Sequence, residues 1–441
     1  MSPRFRPLGR EKPPTILLTI GVVAVALVAV HRLASTPSAG RDDMPTNTIA
    51  EMGAGRWTAP PAVLPGREGA IELEPVWVIG GADNDGFLST RADGVAVGNG
   101  GEIYVTRSLE RRVVRLGPDG RLLWQAGGRG NGPGEFSSIS AIGVFEDTVF
   151  ASDADLGRVS LFSAGGRFLA TRRLAAELAM QSIGDGLFIS GGSPVALLAD
   201  GGAIAEPHIV GMPATPRAGM RRAHSRVPLL RIDSLGSVTH TVAWRDVAGA
   251  VVGMMRDGRV FQIQAPFEGR SKTAVMPNGQ GVIVVRWTQP PEALVVVTRV
   301  EADGDTVLHR AFGYEPVPAT RRAIERTLRE ASVFPSGEEA APAGPEFEDA
   351  LREDGLVPEV LPPVTGLAVG RDGSVWLRRE DHGEDHVVWT VLSSTGQVRE
   401  AVSLPRRQTV AAATRGFFLV IEEDAFGVPS LVRYDRQPAS R

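Results

Sequence analysis

The chain has no cysteine among its 441 residues, which removes disulfides, thiolate nucleophiles and cysteine metal ligands together. Aromatic residues make up only 6% of it, so Val, Ile, Leu and Ala have to supply the core. No charge of one sign dominates. Lys plus Arg total 47 against 51 Asp plus Glu, a formal net charge of −4, and the global basic field of a nucleic-acid binder is missing. Long apolar runs are also missing, apart from one near the N-terminus. Glycine and proline are plentiful, at 52 and 32, and they punctuate short β-branched runs in the manner of tight turns.

The stretch 93–136 shows the pattern best. Four short apolar runs, 95–97, 103–106, 113–116 and 122–125, are separated by Gly98-Asn99-Gly100-Gly101, a charged bend at 109–111 and Pro118-Asp119-Gly120. Such a meander cannot bury both faces alone, so it has to be copied and stacked. A shift of 46 residues lays Ile103-Tyr104-Val105-Thr106 on Val149-Phe150-Ala151-Ser152 and Gly120-Arg121 on Gly166-Arg167. A shift of 272 lays Gly94–Gly98 on Gly366–Gly370, and Ala274-Val275 followed by 281–285 echoes it again. Four short strands per unit at a period near forty predict an all-β propeller of six blades, with seven possible. The expected blades are 93–125, 139–174, an irregular third (181–190 and 228–244 around an insertion at 191–226), 273–310, 366–404 and 409–434. The hairpin 251–261 either extends the third blade or starts a seventh.

The N-terminus reads as an export signal. Arg4, Arg6, Arg10 and Lys12 precede the uncharged run 16–30, ILLTIGVVAVALVAV. Fifteen helical residues span about 22 Å, short of the roughly 30 Å hydrocarbon core, as suits a signal peptide or a minimal signal anchor. The basic flank keeps the N-terminus cytoplasmic and sends the rest across, so the expected place is the cell envelope, or outside the cell if the signal is cleaved. The domains expected are thus 1–34 signal or anchor, 35–68 flexible linker and 69–437 propeller. The last unit has three strands, and the isolated strand at 71–79 is expected to supply its missing outer strand through 74–79, tying the chain ends together. Between blades four and five, 319–331 spaces Ile324 and Leu328 four apart opposite Arg and Glu, predicting an amphipathic helix within an insertion at 319–358; a second short helix is expected at 345–355.

Gly130-x-Gly132-Pro133-Gly134-Glu135-Phe136 resembles the linker of NHL-type propellers. Val149-Phe150-Ala151-Ser152-Asp153, then Arg158-Val159-Ser160-Leu161-Phe162 and Gly166, resemble their strand–Asp–bend–Arg-Val–strand–Gly signature. With the helical insertion, the chain resembles the exported bacterial six-bladed members of that group. Blade one departs, with Arg107 where blade two has Asp153. The resemblance implies a propeller that binds protein, peptide or carbohydrate, and implies no single reaction.

No catalytic, cofactor or metal residues are singled out, and no cofactor is expected. The starts of the inner strands read Arg91-Ala92-Asp93, Ser138-Ile139-Ser140, Lys272-Thr273 and Val364-Thr365, which do not assemble a cage for a hard cation. His382-Gly383-Glu384-Asp385-His386 has zinc-type donors but reads as a polar hairpin. His208, His224, His240 and His309 form no motif. Asp83-Asn84-Asp85-Gly86 is better explained by turn chemistry than by calcium, and 127–134 lacks the Lys-Ser/Thr of a phosphate loop. Asp153 and Arg158 are spaced to staple a bend. The expected function is a binding or scaffold module held to the membrane by its N-terminal helix, or secreted. Its recognition face is built from Arg107, Arg129, Glu135, Asp153 and Arg158. The alternative is a metal-dependent, lactonase-like hydrolase or lyase with its site at the channel mouth.

Overall fold

The computed structural model describes residues 62–81, 94–176, 178–184, 187–210, 226–246, 251–256, 259–264, 267, 271–330, 332–335, 341–342, 348–349, 351–352, 357–380, 385–424 and 428–436. The apolar run 16–30, most of the linker, Arg91-Ala92-Asp93, Asp83–Gly86, His224 and His382–Glu384 lie outside them. Among the described residues no helix is long and apolar enough to cross a membrane.

The repeats fold into the six blades of a β-propeller. Blade one is Val95–Val97, Ile103–Arg107, Arg112–Leu116 and Leu122–Gly127; blade two is Ala141–Phe145, Thr148–Asp153, Arg158–Ser163 and Phe168–Arg173. Blade four runs Ser271–Val275, Gly281–Trp287, Leu294–Glu301 and Thr306–Gly313, and blade five Val364–Val369, Val375–Arg379, His386–Leu392 and Val398–Pro405. Neighbours within each blade are antiparallel. The middle strands are apolar at successive positions because a blade has neighbours on both faces. In blade one, Ile103 and Val105 pack with Leu419 and Leu431 of the last blade, while Tyr104 and Val113 pack with Val149 and Phe162 of blade two. The outer strands, wet on one side, alternate, as Phe168–Arg173 does.

Blade six, Gln408–Ala413, Phe417–Glu423 and Pro429–Asp435, takes its fourth strand from the N-terminal side. Trp77–Gly80 pairs antiparallel with it, Trp77 opposite Arg433 and Ile79 opposite Leu431. The expected single strand is in fact two. Ile71–Glu72 adds in parallel to the outer strand of blade five, Ile71 opposite Val402, before the chain steps to blade six. Packing also begins inside the expected linker: Leu64 is 2% exposed in the core beside blade four, and its N–H donates to the Gly313 carbonyl at 2.9 Å.

Two further expectations need correction. The supposed insertion 191–226 holds the centre of blade three, since Leu187–Leu197 and Ala203–Val210 join Arg226–Ile232, Val238–Asp246 and the short Gln181–Gly184 in one five-stranded sheet. Register shifts between Ser190 and Ser193 and between Pro194 and Ala196 break the alternation there and disguise the strand. The hairpin Val251–Arg256 with Arg259–Gln264 neither extends blade three nor starts a seventh blade. It forms a separate small sheet with Ser332–Pro335 and Ala341–Pro342 of the insertion. The insertion's helix is Arg321–Glu330, capped by the Thr320 hydroxyl, which accepts from the Ala323 N–H at 3.3 Å. Its Ile324 and Leu328 are buried as the spacing requires. Residues 348–349 and 351–352 are helical, with Leu351 buried.

Blades lock edge to edge by a recurring contact. Trp124 Nε1 on the outer strand of blade one donates to the Ala164 carbonyl in a turn of blade two at 3.0 Å, helped by Arg115 Nη1 at 2.9 Å. At the closing seam, Trp77 Nε1 donates to the Pro118 carbonyl of blade one at 2.8 Å, helped by Arg433 Nη1 at 2.9 Å. Gly120, at φ +81° in that turn, is where a Cβ would stand 2.6 Å from Ile79 Cδ1, so only glycine lets the turn lie on the closing strand. Trp77→Ala removes this contact and the ring packing together. It is expected to cost about 2–4 kcal/mol of unfolding free energy by urea denaturation; a loss below about 0.5 kcal/mol would show that the seam is not held there.

Candidate functional site

The meander defines two faces of the ring. Inner strands begin on the upper face and end on the lower one, where the first and third connections of each blade lie. The lower half of the central channel is a cavity of about 140 Å³ lined mainly by Val, Ala and Gly, among them Val97, Gly143, Val195, Val275 and Ala412. Arg371 lies across its end. Its Nε donates to Asn99 Oδ1 at 2.9 Å and its Nη1 to the Val144 carbonyl at 2.9 Å and the Pro277 carbonyl at 3.4 Å; its backbone N–H donates to the Ala413 carbonyl. One side chain from blade five thus holds blades one, two and four, and the backbone beside it holds blade six. Burial lowers its pKa, yet guanidinium stays charged at any ordinary pH. The lower end is latched by Arg371.

The upper end is polar. Lys272 stands at the start of the inner strand of blade four, half-buried. Burial lowers its pKa and the guanidinium of Arg378 lowers it further, with no acidic side chain offsetting them. Among the described residues no hydrogen-bond or ion-pair partner stands against its ammonium. Lys12 and Lys272 are the two lysines of the chain; every other cation among the 47 is arginine. Arg378 donates to Thr365 Oγ1 at 3.1 Å and to the Arg406 carbonyl at 3.2 Å. Arg286, paired with Ser271 across the ladder, has a pKa lowered by burial and then by Arg226, with Asp246 opposing. Asp246 is itself engaged, accepting from Ser271 Oγ at 2.6 Å and pairing with Arg226 at 3.4 Å.

The helix Arg321–Glu330 belongs to this face. Glu380, 6% exposed at the end of blade five's second strand, meets Arg406 at 2.6 Å and helical Arg326 at 3.8 Å. An acid so placed is tolerable only because cations surround it.

The expected recognition residues also lie on the upper face, in blades one and two. Arg129 and Glu135 are exposed in the linker after blade one, and Glu135 Oε2 accepts from the Gly132 N–H at 2.9 Å. Arg107 pairs with Glu110 at 2.7 Å. Asp153 and Arg158 do staple the bend, but not to each other. Asp153, 1% exposed, accepts from the backbone N–H groups of Ser137, Ser138 and Leu156 and from the Ser138 hydroxyl. Arg158 donates to the carbonyls of Asn131, Gly132 and Glu135 at 2.8–3.0 Å. Both clamp the linker. The histidines are separate: His208 meets Ser193 at 2.7 Å, His240 the Ala302 carbonyl at 3.0 Å, and His309 Thr298 at 3.1 Å. Among the described residues no three His, Cys, Asp or Glu side chains gather as metal ligands. The starts of the inner strands, Ser140, Lys272 and Thr365, present hydroxyls and an amine. Sequence reading did not single out Arg286 or Arg371, and took Lys272 only as the start of an inner strand; the rarity of lysine is the one signal that marks it.

The sequence matches no protein-family model and no curated relative. Solved structures do resemble it. An exported protein of Bacteroides fragilis is 12% identical, with 83% of this chain and 95% of that one covered at a TM-score of 0.40. BamB of Moraxella catarrhalis is 12% identical (82% and 100% covered, TM-score 0.28), and virginiamycin B lyase of Staphylococcus aureus is 10% identical (78% and 94%, 0.31). Nothing about activity follows from likenesses this shallow.

Two outcomes test the upper mouth. Glu380→Gln leaves two buried guanidiniums short of their carboxylate and is expected to cost about 3 kcal/mol by urea denaturation; an unchanged midpoint would contradict a structural ion cluster there. Lys272→Met is expected to raise stability. Because folding lowers the pKa of this base, the unfolded chain binds the proton more tightly. The cost is complete at pH values below the folded-state pKa and vanishes above that of an ordinary lysine. The gain from Lys272→Met should therefore be largest below the lowered pKa, shrink as the pH rises from there towards the ordinary lysine range, and vanish above it; a destabilised variant would show that the ammonium is satisfied.

Proposed function

We propose that the protein is a binding propeller of the cell envelope that takes an anionic, carboxylate-bearing group at the upper mouth of its channel. The observation that carries this is Lys272: a half-buried ammonium beside the Arg378 guanidinium, with no acid against it among the described residues, at the channel end opposite the one that Arg371 latches. Oriented cations in a partly desolvated mouth attract and hold a carboxylate far better than the same charges in water. The helix Arg321–Glu330 walls this face, and the rim of Arg107, Arg129, Glu135, Asp153 and Arg158 extends it over blades one and two. There Asp153 and Arg158 act by shaping the linker that presents Arg129 and Glu135. The partner is a protein, peptide or carbohydrate that carries the acid.

The envelope location rests on Arg4, Arg6, Arg10 and Lys12 followed by the run 16–30, with the N-terminus cytoplasmic and the propeller outside, or secreted after cleavage. NHL-type kinship rests on 130–136 and the Asp153–Arg158 bend.

Succinate, a carbonyl-free dicarboxylate, is the probe. Equilibrium dialysis with the full-length chain is expected to show binding that weakens about tenfold or more in Lys272→Met and in Arg378→Gln, and that falls with added salt. Equal binding by the wild type and both variants, or none by the wild type, would overturn the anion site. Photo-crosslinking from the upper face in the native envelope then identifies the macromolecule that bears the acid.

A further inference from the structure

Arg371 holds its neighbouring blades with only part of its guanidinium. Nε and Nη1 are bonded to Asn99, Val144 and Pro277, and among the described residues nothing accepts from Nη2. No carboxylate among them forms an ion pair with it; Glu102, whose charge acts on it, accepts instead from the Gly100 N–H at 3.0 Å. The same side chain is half-buried and lines the cavity of about 140 Å³ in the lower half of the channel. A guanidinium keeps its proton at any ordinary pH, so the cavity ends on a fixed positive charge with a donor to spare.

The other five blades supply the rest of the lining, through Val95, Ile142, Val195, Val275, Pro277 and Ala411 among others. None of the lining side chains but Arg371 carries a hydroxyl, an amide or a charge. The inner strands of blades one, two, four, five and six are paired on one side only, so their free edges bring backbone N–H and C=O groups to the channel. Each property limits what fits. The volume is close to the roughly 150 Å³ of an engineered cavity that takes benzene, which sets the size. The one cation sets the charge, because a second negative group or an ammonium would be desolvated there without a partner. The aliphatic side chains set the body, which has to be a short alkyl group.

We propose that the lower channel binds a short branched monocarboxylate of the size of isobutyrate, which has as many non-hydrogen atoms as benzene. Its carboxylate accepts from Arg371 Nη2, and its methyl groups lie among Val95, Val195 and Val275. The site is separate from the anion site of the upper mouth and does not depend on it. With Arg371 across the lower end, the way in is from above, where cations steer an anion toward the channel. A charge-assisted hydrogen bond to a half-buried guanidinium is stronger than the same bond in water. The bound acid then hangs on the side chain that already joins blades one, two and four to blade five, so it stabilises the closed ring by mass action.

Isobutyrate titrated into the full-length chain, followed by saturation-transfer NMR and by thermal unfolding, is expected to occupy one site and to raise the Tm with its concentration. Isobutyramide, the same shape without the charge, should bind about tenfold or more weakly. Adamantane-1-carboxylate, which has the charge but exceeds the cavity, should not compete. Ala411 is half-buried beside a register shift in the inner strand of blade six. Ala411→Leu fills the cavity without altering the guanidinium and should weaken isobutyrate about tenfold or more. Lys272→Met should leave its affinity within about twofold, as a separate site requires. No binding by the wild type, equal binding of the amide, competition by the adamantane acid, or unchanged binding in Ala411→Leu would overturn the proposal. Isobutyrate binding lost in Lys272→Met and kept in Ala411→Leu would assign the acid to the upper mouth, sinking this inference and leaving that anion site standing. Isobutyrate held as expected while succinate fails to bind would do the reverse.

Discussion

The hydrogen bond from Trp77 Nε1 to the Pro118 carbonyl sits at the junction where the ring is made whole. Each blade buries both faces of its middle strands, so an open ring would leave two whole sheets wet. The chain avoids this by placing Trp77–Gly80 where the last blade lacks an outer strand, and by repeating at the seam the contact that joins blades one and two. Arg433 with Trp77 does for blade one what Arg115 with Trp124 does for blade two. The closing seam is therefore built like the joint between blades one and two.

A closed ring fixes the address of the chemistry. Inner strands converge on a channel whose lower end Arg371 occupies, bonded to three other blades. The upper half receives the starts of the same strands, and there lysine, arginine and hydroxyl groups gather beneath the helical insertion. Glu380 fastens that insertion by way of Arg326. The Arg326–Glu380 pair places the helix at the upper end of blade five, the blade that carries Arg378. Arg371 and Lys272 thus differ: one cation is spent on the Asn99 amide oxygen and two carbonyls, and the other has no acid against it among the described residues.

Much of the ring was legible in the residues. The 46-residue echo marks the blades because the same turn glycines and β-branched runs recur, and the closing strand follows from a three-stranded last unit. Trp77 stands to Pro118 much as Trp124 stands to Ala164, a spacing visible in sequence to a reader who looks for the ring donor as well as the strand. Blade three was hidden because Gly191-Gly192 and Pro194 interrupt its inner strand, and two register shifts destroy the period of two. The hairpin at 251–264 was plain as a hairpin, but its partner strand lies near residue 333, beyond an entire blade, and local pattern cannot reveal that pairing. The site was least legible. Arg371 looks like a surface turn residue between Gly370 and Asp372, and only the convergence of four other blades makes it a latch. The Asp153 and Arg158 pair was visible, but its acceptors and donors belong to a linker some twenty residues away, so the direct bond suggested by their spacing is not the one made.

The most direct measurement is hydrogen–deuterium exchange on the full-length chain, followed on peptides covering residues 75–81 and 429–435. A ring sealed by the N-terminal strand predicts that both peptides exchange slowly and open together, since they share one ladder. Rapid exchange of 75–81 while 429–435 stays protected would mean that the last blade stands without its outer strand, and the closed ring on which the one-mouthed channel depends would be contradicted.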